Sequence, residues 1–215
     1  MITEFLTPAE AAVVASVSLR DVNRVIDENI LPEGLYTVAG GRRVRLTACP
    51  LVGFYFRSAA ALTAEERLRL IQRFSERMAA RREDHLLAGW RTDDWTVRDG
   101  FLTVDIKDFV ADADARSTRL SSARDLVVED PAILGGTPVI RGTRIPVYDL
   151  VASVTAGLPR ARILAAYPGL DENALDLALL YAEATPVRGR PRRFVALPEG
   201  ATILSDRKVA RRRRA

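Results

Sequence analysis

Chemistry in this chain has to come from arginine, because the other reactive side chains are scarce. Cysteine and histidine occur once each, as Cys49 and His85, so the chain offers neither a disulfide framework nor a His/Cys cluster at metal-ligand spacing. His85 lies in REDHLLAG with no Ser or Cys patterned beside it, and reads as a solvated side chain rather than a general base. No catalytic residue, metal or cofactor is expected. Four arginine-bearing stretches remain. In the first, SLRDVNR, the residues Ser18, Arg20, Asn23 and Arg24 carry groups able to pair with guanine and adenine edges, guanidinium and carboxamide bidentately. In the second, GGRRVRL, Arg42, Arg43 and Arg45 are suited to neutralising phosphates. The third, GGTPVIRGTRIPV at 135–147, sets Arg141 and Arg144 among glycines and prolines. The fourth is RGRPRR at 188–193.

A glycine-rich loop raises the question of a phosphate cradle. Such a cradle runs from a strand straight into a helix and, in the P-loop form, ends on Lys-Ser or Lys-Thr. The 135–147 stretch has none of that order, so its glycines are assigned to the bends of a small hairpin followed by a helix. Arg141 and Arg144 are then free to bind backbone carbonyls, a carboxylate or a partner.

The elements that position these residues follow from local signals. Thr7 before Pro8, with Glu10 three residues on, predicts a capping box and a short helix from 8 to about 15. Ser18 caps a second helix in which Val22, Val25, Ile26 and Asn29 recur at spacings of three and four, leaving Arg20, Asp21, Asn23, Arg24 and Asp27 outside. LYTV and RVRL around Gly40-Gly41 predict a hairpin. Helix, turn, helix and wing occupy 1–60. In 61–126, Thr63 caps an amphipathic helix carrying Leu68, Leu70, Ile71 and Phe74, and WTVRDGFLTVDI alternates around Asp99-Gly100 as a second hairpin. ADADARSTRLSSA is polar and small, a helical connector or linker. Trp90 and Trp95 are assigned to core or interface. Three helices are expected in 127–185, at about 147–156, 159–166 and 171–183. The fold class is mainly α with small β-hairpins.

Net charge is +4 over 215 residues, but it is unevenly spread. From 186 to 215 ten basic residues face two acidic ones, a net +8, which leaves −4 for the rest. Such an arm meets a polyanion or an acidic protein surface, or is simply solvated. The most apolar stretches, 11–17 and 174–182, are far short of the roughly 20 residues that span a bilayer. A cytoplasmic protein without membrane contact is expected.

Thr7, Pro8, Glu10, Ala11, Ala12, Val17 and Ser18 resemble the opening of the small winged helix-turn-helix domains of the MerR and phage-excisionase type, with Ser16 where a glycine is usual. The alternative use of the segment is a helix hairpin for protein contact. Further on, Asp130-Pro131, Ile133, Gly135-Gly136, Pro138-Val139, Arg141-Gly142-Thr143-Arg144-Ile145-Pro146-Val147, Gly157, Ile163, Tyr167-Pro168 and Leu170 resemble the domain of unknown function 433. That resemblance implies a homeodomain-like three-helix module preceded by a β-hairpin, in antitoxins of the VapB type encoded beside a PIN-like ribonuclease toxin.

On that resemblance the chain is expected to be a type II antitoxin that binds double-stranded operator DNA, represses its own operon and neutralises the PIN-like toxin. The alternative is a transcriptional regulator with no toxin partner. The last helix is acidic, with Asp171, Glu172, Asp176 and Glu183, so it repels phosphate. Its Leu175, Leu179 and Leu180 suit packing or the interface of a homodimer, whose two-fold axis would present two recognition helices to a palindromic site. Arg188, Gly189, Arg190, Pro191, Arg192 and Arg193 have the form of an AT-hook. They suit either a narrow minor groove or the metal-binding carboxylates of a PIN-like nuclease.

Overall fold

The computed structural model describes residues 5–79 and 94–187, and it is mainly helical with three small antiparallel sheets. His85, Trp90, Arg188 to Arg193 and Arg211 to Arg214 lie outside the described residues.

Side-chain caps start the helices where the sequence signals them. After strand β1 (Phe5–Leu6), the Thr7 capping box opens α1 (Pro8–Ala15), and the Ser18 capping box opens α2 (Leu19–Asp27). Between them Ser16 takes φ 55°, in the left-handed region. An L-residue adopts this conformation at a cost that glycine avoids. Asn29 ends α2 in the same conformation (φ 50°), which asparagine tolerates better than most. The wing, β2 (Tyr36–Thr37) and β3 (Arg43–Arg45), turns through Gly40 and Gly41 at positive φ. β1 pairs with the far edge of β3, giving the antiparallel order β1-β3-β2.

A 3₁₀ turn over Leu46–Ala48 leads into α3 (Cys49–Arg57), a helix apolar on almost every side and buried from Cys49 to Tyr55. The sequence reading contained no helix there. Gly53 marks its closest approach to α1: a Cβ at that position would sit 2.9 Å from the Ala15 carbonyl oxygen. Phe54 is the hub of the core, edge-on to Phe74 at 6.1 Å and to Phe109 at 5.8 Å.

Thr63 and Glu66 form a third reciprocal cap at the head of α4 (Ala64–Ala79). The expected hairpin forms from β4 (Thr96–Asp99) and β5 (Leu102–Asp105), with Asp99 paired to Leu102 and the turn at Gly100-Phe101. Arginines one turn apart on α4 pin it: Arg69 and Arg73 both reach the Asp99 carboxylate, and Arg77 donates to the Thr96 carbonyl at 2.6 Å. Trp95 is buried in the core at the foot of this hairpin.

The polar stretch expected as a helical connector or linker is helical, and it is part of the central helix, α5 (Lys107–Leu126). It buries Val110, Ala113, Leu120 and Ala123 against α1, α3 and the last helix. Two of those four are alanines, which give close approach but little hydrophobic contrast. β6 (Val127–Val128) then pairs with β7 (Val139–Ile140), and α6 (Val147–Thr155), α7 (Arg160–Ala166) and α8 (Glu172–Ala184) complete the module.

Two hydrophobic clusters result. The first runs from Leu6 to Leu120 and includes Ala184, crossing the boundary placed at 60/61 without a break. The second runs from Ala123 to Tyr181. Both α5 and α8 contribute to each cluster, and Leu180 packs against both.

Candidate nucleic-acid interface

The outward face of α2 is built by its burial pattern. Val22 and Val25 are fully buried and Ile26 nearly so, which turns Arg20, Asn23, Arg24 and Asp27 to the other side. The wing is held against that side by two ties. The Tyr36 hydroxyl donates to Asn29 Oδ1 at 2.6 Å. Arg42 donates to both carboxylate oxygens of Asp27, at 2.7 and 3.3 Å, and to Asn23 Oδ1 at 3.0 Å.

These ties reassign several of the residues singled out from sequence. The Ser18 hydroxyl is spent in its capping box, donating to Asp21 Oδ2 at 2.7 Å and accepting from the Asp21 N–H. Asn23 uses both ends of its carboxamide inside the fold, since its Nδ2 donates to the Leu19 carbonyl at 3.0 Å while its oxygen receives Arg42. Asn23 and Arg42 therefore brace the wing in the free protein. Arg24 is exposed but paired with Glu28 at 2.9 Å. Arg20 and Arg43 are exposed and make no ion pair among the described residues.

Arg45 departs furthest from its expected place. It stands across from Phe5 in the β1–β3 register, and its guanidinium lies 5.5 Å from the Phe5 ring. It lines a cleft of about 370 Å³ with Leu35, Thr47, Gln72 and Glu76, none of which belongs to the α2 face. The alternation that brings Arg43 and Arg45 to one side of β3 holds, but the aromatic partner on β1 draws Arg45 inward. Sequence reasoning had no β1 to provide that partner.

The α2 face and wing carry Arg20, Arg24, Arg42 and Arg43 against Asp21, Asp27 and Glu28. A balance so close to neutral attracts phosphate weakly and leaves discrimination to direct contacts. One more cation stands at the edge of this face. Arg116, an exposed residue of α5, lines a cleft of about 340 Å³ with Ser16, Val17, Ser18, Leu180 and Glu183, at the turn between α1 and α2. The stretch read as a connector concealed it. The spacing of Val110, Ala113, Leu120 and Ala123 was the available signal, and it was faint.

A half-buried ion pair joins this half to the other. Arg124 donates to Glu10 Oε1 at 2.8 Å, while the Thr7 N–H and hydroxyl donate to Glu10 Oε2 at 2.7 and 2.9 Å. Burial raises the Glu10 carboxyl, but Arg124 and Thr7 outweigh it and hold the group below its ordinary value.

In the C-terminal module the glycines of 135–147 serve turns, with Gly135, Gly136 and Gly142 all at positive φ. Arg141 closes the end of α5, its Nε donating to the Asp125 carbonyl at 2.7 Å and its backbone N–H to the Leu126 carbonyl at 2.8 Å. It satisfies the last carbonyls of that helix, where a cation is also favoured by the helix dipole. Arg144 is exposed, makes no ion pair among the described residues, and borders a groove lined by Val128, Ile133 and Val139.

The apolar side of α8 is already occupied within the chain. Leu175 is fully buried in the second cluster and Leu179 and Leu180 are half-buried, so Leu175 in particular cannot serve a dimer interface without unpacking the core. Tyr181 donates to Glu129 at 2.8 Å, and burial together with that carboxylate pushes its phenol above the ordinary range. The Tyr148 hydroxyl holds the Thr185 carbonyl at 2.6 Å, fixing the end of α8. Among the described residues no His/Cys/Asp/Glu group is arranged to hold a metal, and no helix is long and apolar enough to cross a membrane.

Residues 127–182 match the family described as "Protein of unknown function (DUF433)". Over 213 residues, 99% of this chain and 96% of the relative, the sequence is 53% identical to "Uncharacterized protein y4eO" of Sinorhizobium fredii (strain NBRC 101917 / NGR234). The match thus runs the length of the chain and is not confined to the C-terminal module. No solved structure matches.

Proposed function

We infer that this chain, which belongs to the same family as protein y4eO of Sinorhizobium fredii, is a DNA-binding antitoxin. In this reading α2 and its wing hold operator DNA and regulate the operon, while the C-terminal module neutralises a PIN-like ribonuclease encoded nearby. The observation that carries the DNA half is the solvent face of a short capped helix, Arg20 and Arg24 outward, with a wing braced beside it. A helix of that width enters a major groove, where arginine pairs bidentately with guanine O6 and N7. Arg20, with no ion pair among the described residues, is ready for such a contact. Arg24 would reach a base by exchanging its Glu28 partner for it. Arg43, beside the turn of the wing, is suited to a phosphate contact.

The toxin half rests on the resemblance of the C-terminal module. Arg144 beside an apolar groove supports it, because a PIN-like nuclease gathers carboxylates around its metal and an exposed guanidinium is a group that such a cluster accepts. A two-fold dimer would set two α2 helices about 34 Å apart on a palindrome.

Two experiments test the reading. In gel shifts of upstream DNA, Arg20→Ala and Arg24→Ala should each cost about 1–3 kcal/mol of affinity, with circular dichroism unchanged. Wild-type affinity in both variants would reject α2 as the reading helix. Co-expression with the adjacent gene should yield a stable complex and rescue growth. If neither occurs, the toxin half fails and a transcriptional regulator without a toxin partner is left.

A further inference from the structure

The cations of the wing and the cation at the α1–α2 turn stand at opposite ends of α2. The wing is tied to the C-terminal half of that helix, through Arg42 on Asp27 and Tyr36 on Asn29. Arg116 stands at the other end, in the cleft that it lines with Ser16, Val17 and Ser18. Ser18 also lines the hollow over the outward face of α2, so the two depressions meet there and form one continuous surface. Arg116 is exposed and makes no ion pair among the described residues. Two carboxylates close to it are already engaged. Asp112, one turn earlier on α5, holds Arg57 at 3.1 Å, and Asp21 accepts from the Ser18 hydroxyl and N–H at 2.7 and 3.1 Å. Glu183, on the α8 side of the cleft, is the carboxylate that tempers the Arg116 charge.

We propose that Arg116 holds a DNA phosphate at one wall of the major groove occupied by α2, opposite the wall reached from the wing. This rests on the reading of α2 as a DNA-binding helix. The nine residues of α2 span about 14 Å at roughly 1.5 Å per residue, against a major groove about 12 Å wide. A helix of that length, set across the groove with its N-terminal residues on the base edges, brings its two ends to the two sugar-phosphate walls. Arg43 of the wing stands beside one end and Arg116 beside the other. Contacts of this kind carry no sequence information but fix register and orientation, and a pair at opposite ends fixes the tilt of α2 in the groove. On a face so close to neutral, one more cation set against a phosphate is a large share of the salt-dependent attraction. Arg116 belongs to the central helix, so the winged segment 1–60 lacks this contact when taken alone.

Titration of the full chain on upstream DNA over a series of salt concentrations tests the proposal. Arg116→Ala should weaken binding several-fold, uniformly across sequences, and lower the slope of log K against log salt by about 0.9, the counterion release of one phosphate. Arg116→Lys should keep the slope. Arg119→Ala is the control: Arg119 is exposed one turn further along α5 and does not line the cleft, so neither affinity nor slope should change. Glu183→Gln should strengthen binding. A methylphosphonate scan then locates the contact, because neutralising one phosphate at the groove wall should weaken the wild type and leave Arg116→Ala unaffected. An unchanged slope in Arg116→Ala, with Arg20→Ala still weakening binding, overturns the proposal and leaves α2 as the reader. Equal losses in Arg116→Ala and Arg119→Ala overturn it as well, since they reflect overall charge. If Arg116→Ala binds DNA as the wild type does but loses the neighbouring nuclease, the cleft serves protein and the proposal falls. If wild-type protein binds no DNA, the DNA reading itself fails and this proposal with it.

Discussion

Each half of the molecule contains a helix that carries polar residues on one side and apolar residues on the other, yet α2 and α8 are used in opposite ways. α2 buries three aliphatic residues and turns arginines to solvent over a wing. α8 buries Leu175, Leu177, Ala178, Tyr181 and Ala184, is packed by α1, α5 and α6, and leaves Asp171, Glu172 and Glu183 exposed, with Asp176 half-buried and paired to Arg160 at 2.6 Å. The surface of α8 repels a phosphate backbone and its interior side is spent. Under the proposed reading α2, not α8, is the helix offered to DNA.

Substitutions should separate the two helices by the property that each controls. The largest effect belongs to α8: Leu175→Ala should cost about 2–5 kcal/mol in urea unfolding, because the residue is fully buried. A loss below about 1 kcal/mol, outside the range for a buried leucine and accompanied by a change in oligomeric state, would return Leu175 to an interface and break the contrast. The next sharpens the joint between the halves. Glu10 is held below its ordinary value of 4.5, so the unfolded chain takes up its proton first as pH falls. The contribution of the Glu10–Arg124 pair is then present above that value and is lost as acid titrates the folded carboxyl. Wild-type stability should fall more steeply than that of Glu10→Gln in this range, and parallel curves would show the pair to be idle. The smallest effect is a gain: Ser16→Gly should stabilise by about 0.5–1 kcal/mol through relief of the left-handed turn, measured as a raised Tm with DNA affinity unchanged.

Much of the fold was legible because it is written locally. Thr7, Ser18, Thr63 and Asp171 each accept from the backbone three residues on, and those four short-range patterns fix the starts of α1, α2, α4 and α8. Asp99-Gly100 fixes the second hairpin in the same way. The helical option for the α5 stretch holds, but its central place in the core was not legible, because alanine and serine form its close contacts and blunt the periodicity that marks an amphipathic helix. α3 escaped because burial on nearly every side leaves no period at all. The site was less legible than the fold. Arg20 and Arg24 follow from helical spacing, but the capture of Arg42 by Asn23 and Asp27, residues 19 and 15 positions away, depends on how the wing folds back. The stacking of Arg45 on Phe5 and the presence of Arg116 at the α1–α2 turn are tertiary facts of the same kind.

The sharing of α5 and α8 between the two clusters has a consequence for anyone who would treat this protein as two cassettes. A cut at 126/127 removes the helix that covers α1 and α5, and leaves apolar surface on both fragments. Either piece expressed alone should be sticky or loosely packed, and grafting 1–60 onto another scaffold should fail unless a surrogate for α4, α5 and α8 goes with it. Heating the intact chain should give one calorimetric transition. The practical unit of inheritance, exchange and engineering is the chain from β1 to the end of α8.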